Sequence, residues 1–404
     1  MNKLVLGLCG AIAFGLAAGP ASAALPGNIV LEPTYSPATV VGHPEMIARF
    51  GVVPSKTAGA QFTGDIAGKP PCTSSNLGLP SWTGSFVDGT RTYCYDMIGT
   101  TPSKTAGTTT LTSQVYAYKM TFSDGTVFDP TAIDTACDSV SPYTRLMDSP
   151  LYNASPISNG KVSLGNIQYE DAQSVGEWYK FVKKAKDYAI NLVDTGNPTV
   201  ISLTVPASKG STTAISGLCS GKIGEVDINW LASQVSTTAW NVNQLSVVLL
   251  WNVFQTESGS CCVLGYHGSY SNSKNQNGVF SFTAMSNPGI FGGKTGVGIT
   301  DIHATTHEFG EAINDPFGNN ATPEWGHTGQ VSGCQNNLEV GDPLTGTVYG
   351  APGGGSGITL NGFTYHPQEL VYFSWFTEAS KYAKYGADDV FSMSGTFTQT
   401  AKLC

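Results

Sequence analysis

The sequence predicts an α+β protein in which a β-rich N-terminal part is followed by a mixed sheet. Only 12% of the 404 residues are charged and 48 are glycine, which disfavours coiled coils and long charged helices. Short alternating runs, broken by Gly, Pro and Asp, fill much of the first half. The second half combines helical patterns and apolar runs with one short segment that is rich in histidine and acidic residues.

The first 23 residues have the three parts of a secretory signal peptide. Lys3 supplies the positive charge, residues 4–18 form the apolar stretch, and residues 21–23 (Ala-Ser-Ala) form the cleavage site. An apolar stretch of about 15 residues is short for a membrane span, which needs about 20. We therefore expect an exported protein, extracellular or periplasmic, without a transmembrane anchor.

Beyond this signal the chain has eight cysteines. An even number in an exported chain indicates up to four disulfide bonds, whose pairing the sequence leaves open. The adjacent Cys261 and Cys262 are expected to pair with different partners. Because no C-x-x-C spacing occurs, a zinc site built from cysteine is disfavoured.

Three regions follow the signal peptide. Residues 24–60 are predicted to be an extended N-terminal arm, since they are rich in Pro, Gly, Val and Ala and show no sustained period. Residues 61–165 form a β-rich region, because runs such as 114–122 alternate between turn signals typical of hairpins. Residues 166–404 form an α+β domain that contains the histidine-rich segment.

Within that domain, apolar residues at three- and four-residue spacings predict a helix over 169–192. A strand at 200–205 and a short helix at 226–235 follow. The apolar run 245–254 predicts a strand buried on both faces, with a buried helix as the alternative. Alternation over 279–285 predicts an edge strand.

The histidine-rich segment predicts a helix of about thirteen residues. Asp301 is the expected N-cap, and Asp315-Pro316 supplies a stop. His303, His307 and Glu311 are four residues apart, so their side chains can share one face of this helix. The alternative is an ordinary solvated face, but the whole chain has only six histidines and two of them lie here.

Glu308 follows His307 directly, as the general base follows the first zinc ligand in the zincin helix H-E-x-x-H. The second zincin histidine is replaced by Glu311, whose carboxylate is also an acceptable zinc ligand. We therefore predict a zincin-like active-site helix, with His307 and Glu311 as metal ligands and Glu308 as the catalytic residue. His303 is kept as a third ligand or as a residue that supports the ligands.

A further metal ligand is expected from the chain downstream of the helix. Glu339 is preferred and Asp342 is the reserve. His267, beside the end of the buried strand, is expected to line the cleft. His327 and His366 are isolated in polar loops, where solvent contact or a local hydrogen bond is the favoured role.

At these residues the chain resembles a family of exported bacterial proteins, usually regarded as metallopeptidases, with the signature Ser/Thr-His-Glu-x-x-Glu-Ala-x-x-Asp-Pro. The likeness covers about residues 115–376. It includes, in the family's order, the segments 123–131, 165–172, 265–267 and 339–342.

The resemblance implies that His307, Glu308, Glu311 and Glu339 carry the metal chemistry, while Asn314 stands where the family more often has threonine. A weaker likeness connects residues 245–345 with the phosphate-induced, Exordium-like cell-wall proteins. These share the framework but lack the His-Glu pair, which implies that the scaffold can exist without catalysis.

The expected function is that of a secreted metal-dependent hydrolase, above all a zincin-like metallopeptidase that acts on a peptide or protein through a metal-bound water. The expected cofactor is a divalent metal, with zinc preferred. The alternative is a non-enzymatic secreted or cell-surface binding module on the same scaffold.

Three other classes are disfavoured. The net charge of −9 comes without a basic cluster, so we expect no nucleic-acid partner. No G-x-S-x-G elbow of a serine hydrolase occurs. The glycines of 352–357 neither follow a convincing strand nor open a helix, as a dinucleotide-binding loop would.

Overall fold

The structure is a computed structural model that describes residues 29–31, 38–55, 72, 76–182, 187–219, 221–293, 298–350, 355–377, 390–395, 397 and 404. The predicted signal peptide and part of the predicted arm lie outside the described residues. Among the described residues, no helix is both long enough and apolar enough to span a membrane.

Strands dominate the described part of the chain. They are β1 (Val30–Leu31), β2 (Ala38–Val40), β3 (His43–Ile47), β4 (Arg49–Val53), β5 (Ser81–Asp88), β6 (Arg91–Ile98), β7 (Gly107–Thr121), β8 (Val127–Phe128), β9 (Ser155–Asn159), β10 (Val162–Ile167), β11 (Tyr188–Asp194), β12 (Thr199–Thr204), β13 (Gly210–Ala214), β14 (Lys222–Asp227), β15 (Leu245–Trp251), β16 (Val253–Glu257), β17 (Ser260–Ser271), β18 (Asn277–Met285), β19 (Phe291–Gly293), β20 (Ala321–Thr328), β21 (Val331–Asn337), β22 (Ile358–Leu360) and β23 (Phe363–Tyr365). The helices are α1 (Pro142–Met147), α2 (Tyr169–Glu177), α3 (Tyr179–Val182), α4 (Ile228–Gln234), α5 (His303–Asn314) and α6 (Phe373–Phe376), and a 3-10 helix spans Asp342–Leu344.

A mixed sheet of twelve strands forms the frame. Eight of them follow the order β11-β7-β15-β18-β17-β16-β14-β13, and β1, β4, β8 and β12 pair off this row. The strands β11, β7, β15 and β18 run parallel to one another, whereas β17 is antiparallel to β18 and to β16. Beside β16, the strand β4 pairs in parallel with residues 263–268 of β17. The strand-rich mixed sheet is compatible with the predicted α+β class, and it joins strands from all three predicted regions.

The long predicted helix over 169–192 is wrong in its second half. The chain forms α2 and α3 and then enters β11, which pairs in parallel with β7. Leu192 fits the three- and four-residue spacing of a helix. However, Tyr188, Ile190 and Leu192 also fit the two-residue spacing of a strand, and all three are buried. Pairing with β7 decides between the two patterns, because it satisfies the backbone of β11 while burying these side chains.

The other predicted elements of this domain are present with shifted bounds. The strand at 200–205 is β12, and the helix at 226–235 is α4, capped by the Asp227 side chain, which accepts from the Trp230 N–H at 2.7 Å. The apolar run 245–254 is extended and buried as predicted, but Asn252, at φ +50°, divides it into β15 and β16.

The edge position predicted for 279–285 is wrong. These residues belong to β18, which lies between β15 and β17 and is buried along its whole length. Its alternation of aromatic and small residues reflects two different packed faces rather than one exposed face.

Four disulfide bonds join the eight cysteines outside the predicted signal peptide: Cys72–Cys94, Cys137–Cys219, Cys261–Cys262 and Cys334–Cys404. The expectation that Cys261 and Cys262 pair with different partners is therefore wrong. Their peptide bond is cis, which brings the two Cα atoms to 3.1 Å.

Candidate metal centre

Helix α5 lies against β17 and β18, and all twelve of its residues are buried. The alternative of a solvated charged face is therefore excluded. The predicted N-cap is wrong by one residue, since Ile302 precedes the helix. Asp301 instead adopts φ +37°, and its carboxylate accepts from the backbone N–H groups of Ile302 and His366 at 2.6 and 2.9 Å.

Two groups of donor atoms meet at this helix, and the first contains His307, Glu311 and Asp342. The Nε2 atom of His307 lies 3.1 Å from Glu311 Oε2 and 3.5 Å from Asp342 Oδ1. The other ring nitrogen, Nδ1, lies 3.0 Å from Gln368 Oε1, which can only accept. His307 therefore carries its proton on Nδ1 when neutral and directs the Nε2 lone pair towards the two carboxylates.

The second group contains His267, Glu308 and Glu311. His267 Nδ1 lies 3.4 Å from Glu308 Oε2 and 3.5 Å from Glu311 Oε2. Its Nε2 donates to the backbone carbonyl of Asp315 at 3.0 Å, so the Nδ1 lone pair faces the carboxylates. Glu311 Oε2 therefore lies between two imidazole lone pairs, one from each group.

Four of these donor atoms are buried without hydrogen bonds. Within the described residues, His267 Nδ1, His307 Nε2 and both carboxylate oxygens of Glu308 have no hydrogen-bond partner. The nearest carboxylate oxygens lie 3.1 to 3.5 Å from the ring nitrogens. An unsatisfied buried polar atom costs free energy, and a cation between these donors would remove that cost. Imidazole nitrogen and carboxylate oxygen are suitable ligands for a divalent metal, so the residues fit such an ion.

Two glycines make the close packing of these side chains possible. A Cβ atom on Gly265 of β17 would lie 2.5 Å from Glu308 Oε1, and one on Gly341 would lie 2.5 Å from His307 Nδ1. Gly341 also uses its backbone, since its N–H donates to Glu311 Oε1 at 3.1 Å and its carbonyl accepts from Gln368 at 2.6 Å. These contacts fix the orientation of His307 and Glu311, as residues behind metal ligands commonly do.

The carboxylates near Glu311 favour the positively charged forms of both imidazoles. Burial lowers the pKa of His267, but the Glu308 and Glu311 carboxylates outweigh it and raise the pKa to about 10. Burial likewise opposes the charge on His307, yet Glu311 and Asp342 hold its pKa well above the usual value.

The carboxyl groups respond in opposite directions. Burial raises the pKa of Glu308 to about 8, with His267 opposing the shift, and it raises the pKa of Asp342 to about 6, with Glu311 adding to the shift. For Glu311, the two neighbouring imidazoles outweigh burial and lower the pKa to about 2. Glu311 is thus the residue that stays ionised at the centre of the group.

The structure brings together most, but not all, of the predicted ligands. Asp342, the reserve, lies beside His307, whereas Glu339 lies on the other side of the centre, with Oε2 4.0 Å from His267 Nδ1. Glu339 Oε1 accepts from the Asn337 side chain at 3.0 Å. His303 is buried but belongs to neither donor group, and burial followed by the nearby His307 lowers its pKa to about 3.

Other residues at the centre lie far from α5 in the sequence. His267 is a member of the second group, although the sequence suggested only that it lines a cleft. The Phe50 ring of β4 stacks on the His307 ring, with centroids 3.8 Å apart. Gln368 orients His307 across a separation of 61 residues. No spacing in the sequence could have indicated Phe50 or Gln368.

The isolated histidines remain outside the centre. His366 Nδ1 lies 2.6 Å from Asp301 Oδ2, which is a local partner of the kind expected for a loop histidine. His327 is exposed beside Cys334, which is bonded to Cys404.

Comparison of the chain with protein-family models, with curated proteins and with solved structures finds no match.

Proposed function

We propose that this protein is a secreted metal-dependent hydrolase, specifically a zincin-like metallopeptidase. The observation that carries the proposal is the set of buried imidazole and carboxylate atoms that surround Glu311 without hydrogen bonds. A helix that presents such atoms one turn apart, together with an adjacent glutamate, is an arrangement suited to metal-assisted hydrolysis.

His307, Glu311 and Asp342 would hold the catalytic cation, with zinc preferred because one imidazole and two carboxylates suit it. A bound divalent cation lowers the pKa of water and polarises a carbonyl group. Gln368 keeps the Nε2 lone pair of His307 available, and the Gly341 N–H holds Glu311 Oε1, leaving Oε2 for the cation. In this proposal Asp342 takes the ligand position that the sequence gave to Glu339.

Glu308 is the acid–base residue in this mechanism. Its carboxylate oxygens have no hydrogen-bond partner in the described part of the chain, and burial raises its pKa to about 8. It can therefore accept a proton from the attacking water and pass it to the leaving amine. Its position next to His307 in the sequence matches that of the base in the zincin motif.

The test combines metal analysis with a single substitution. Purified mature protein should contain a stoichiometric transition metal and hydrolyse a peptide library, and Glu308→Gln should keep the fold and the cation at His307 while losing hydrolysis. The matched control is Glu177→Gln, which changes a buried glutamate of α2 that belongs to neither donor group. Unchanged hydrolysis in Glu308→Gln would exclude the mechanism, and a metal-free protein would exclude the proposal.

The alternative, a non-enzymatic binding module with a structural ion, has one observation in its favour. The side chains of His267, His307, Glu308, Glu311 and Asp342 are each 3% exposed or less. A closed centre of this kind suits an ion that never exchanges. Calcium alone in the purified protein, together with no hydrolysis of any peptide, would favour the module.

A further inference from the structure

We propose that the centre binds two divalent cations and that Glu311 is shared between them. The first is held by His307, Glu311 and Asp342, and the second by His267, Glu308 and Glu311. This inference rests on the proposed function, because it adds a second ion to the same centre.

The geometry of the two imidazoles supports two positions. Each ring fixes one nitrogen by a hydrogen bond to an acceptor, Gln368 for His307 and the Asp315 carbonyl for His267. Each ring then directs its remaining lone pair to a different pair of carboxylates. Among the described residues no candidate group contains both histidines, whereas Glu311 belongs to both groups that form this centre.

The carboxylate of Glu311 is placed to be shared. Its Oε1 atom accepts the Gly341 N–H, and its Oε2 atom lies 3.1 Å from His307 Nε2 and 3.5 Å from His267 Nδ1. Donor atoms bound to one metal at about 2.0 to 2.2 Å are separated by about 3 to 3.5 Å. Each of the two nitrogen–oxygen distances therefore fits a metal ion bound by that nitrogen and by Oε2. Glu311 Oε2 can thus bind one cation together with His307 and a second cation together with His267.

The charges of the centre also balance with two ions. The four carboxylates within 4.0 Å of the imidazole nitrogens that face the centre, those of Glu308, Glu311, Asp342 and Glu339, supply four negative charges when ionised, and neutral imidazoles add none. Two divalent cations cancel these charges, whereas one leaves two buried negative charges or requires two protons. Uncompensated buried charge is costly, so the pair of cations is the better-balanced state.

Glu308 retains an acid–base role in this arrangement. Its Oε2 atom faces His267 and would bind the second cation, while Oε1 lies over Gly265 and has no hydrogen-bond partner among the described residues. A carboxylate bound through one oxygen can still accept a proton on the other. The second cation therefore extends the proposed chemistry without displacing it.

The experiment measures metal stoichiometry rather than activity. Metal-free mature protein is dialysed against Mn²⁺ alone, and the bound metal is counted and examined by electron paramagnetic resonance. Two ions about 3.5 to 4 Å apart should give two Mn²⁺ per chain and a spin-coupled spectrum instead of isolated ions. His267→Asn should lower the count from two to one and remove the coupling, because the His307 group remains intact.

Two further variants make the result interpretable. Glu311→Gln should weaken both sites, since it removes the shared ligand. His303→Asn, a change at a buried histidine outside both groups, should still bind two ions. Glu308→Gln, which is nearly isosteric, repeats the test of the second site if His267→Asn does not fold.

The outcomes separate the two proposals. One Mn²⁺ per chain with an uncoupled spectrum in the wild-type protein overturns the two-ion inference but leaves the proposed hydrolase standing. No bound metal overturns both. Two uncoupled ions that persist in His267→Asn overturn the assignment of the second site.

Discussion

Glu311→Gln should lower stability by a larger amount in the presence of metal than in its absence. In the wild-type protein, Glu311 Oε1 accepts the Gly341 N–H and Oε2 faces the lone pairs of His267 and His307. A glutamine can keep the first contact with its oxygen and place its NH₂ group where Oε2 was. The metal-free variant then has a neutral donor facing the imidazoles in place of a buried charge.

The magnitude follows from this replacement. Without metal, the imidazoles of His267 and His307 carry protons near neutral pH, because the carboxylates raise their pKa, so Glu311→Gln leaves this charge uncompensated and should lower the unfolding free energy by about 3 to 5 kcal/mol. A cation at one hundred times its dissociation constant stabilises the native wild-type protein by about 2.7 kcal/mol for each site. The variant should lose that stabilisation.

The assay is urea unfolding of the oxidised protein with saturating metal and with chelator. Wild type should lose stability when chelator is added, whereas Glu311→Gln should show the same midpoint in both conditions. Glu177→Gln serves as control and should respond to chelator like the wild type.

A particular result would refute the reasoning. If Glu311 were only the anion of a buried network with two imidazolium ions, its removal would leave their charges uncompensated. The variant would then be less stable by about 3 to 5 kcal/mol, with and without chelator alike. That outcome would show that protons, not metal ions, neutralise the centre.

Three further predictions concern the surroundings of the centre. Phe50→Ala should accelerate the transfer of bound metal to a coloured chelator because it uncovers the His307 ring, whereas Phe254→Ala, at another buried phenylalanine, should not. Burial raises the pKa of Glu177 from the ordinary 4.5 to about 8, so the folded state keeps this proton at pH values where the unfolded state has lost it. The unfolding free energy should therefore fall as pH rises between these two values, by up to about 1.4 kcal/mol per pH unit. Urea midpoints of Glu177→Gln, measured over the same pH range, should not show this fall. Replacing the cysteines of the Cys137–Cys219 disulfide with alanine should lower the unfolding free energy by about 4.5 kcal/mol, checked by urea titration, since the bond closes a loop across 82 positions.

Local sequence patterns predict local parts of the centre. The four-residue spacing of His307 and Glu311 places both on one helix face, and in the structure their Nε2 and Oε2 atoms are 3.1 Å apart. The Asp315-Pro316 stop is also local, and α5 ends at Asn314. Patterns of this range depend only on helix geometry, so they can be predicted without knowledge of the rest of the fold.

Contacts over long separations could not be predicted in the same way. Glu339 and Asp342 are three positions apart and were both candidates, but only the path of the loop into its 3-10 helix decides which one reaches His307. His267 and Glu308 are far apart in the sequence and come together because β17 pairs with β18 and α5 packs on both strands. Sheet order of this kind is a property of the whole chain.

The position of β4 relates the predicted N-terminal arm to the proposed chemistry. Phe50 covers one face of His307, and the Gln330 side chain both accepts from the Phe50 N–H at 2.9 Å and donates to Asp342. A substrate carbonyl that approaches this side of His307 must displace Phe50, so a hydrolase acting there requires β4 or its aromatic ring to move. A structural ion requires no such movement. Comparing the metal-transfer rate of the wild-type protein with that of Phe50→Ala therefore addresses the choice between enzyme and binding module. Faster transfer in Phe50→Ala fits a centre that opens when Phe50 moves. Equally slow transfer in both proteins fits a structural ion that does not exchange.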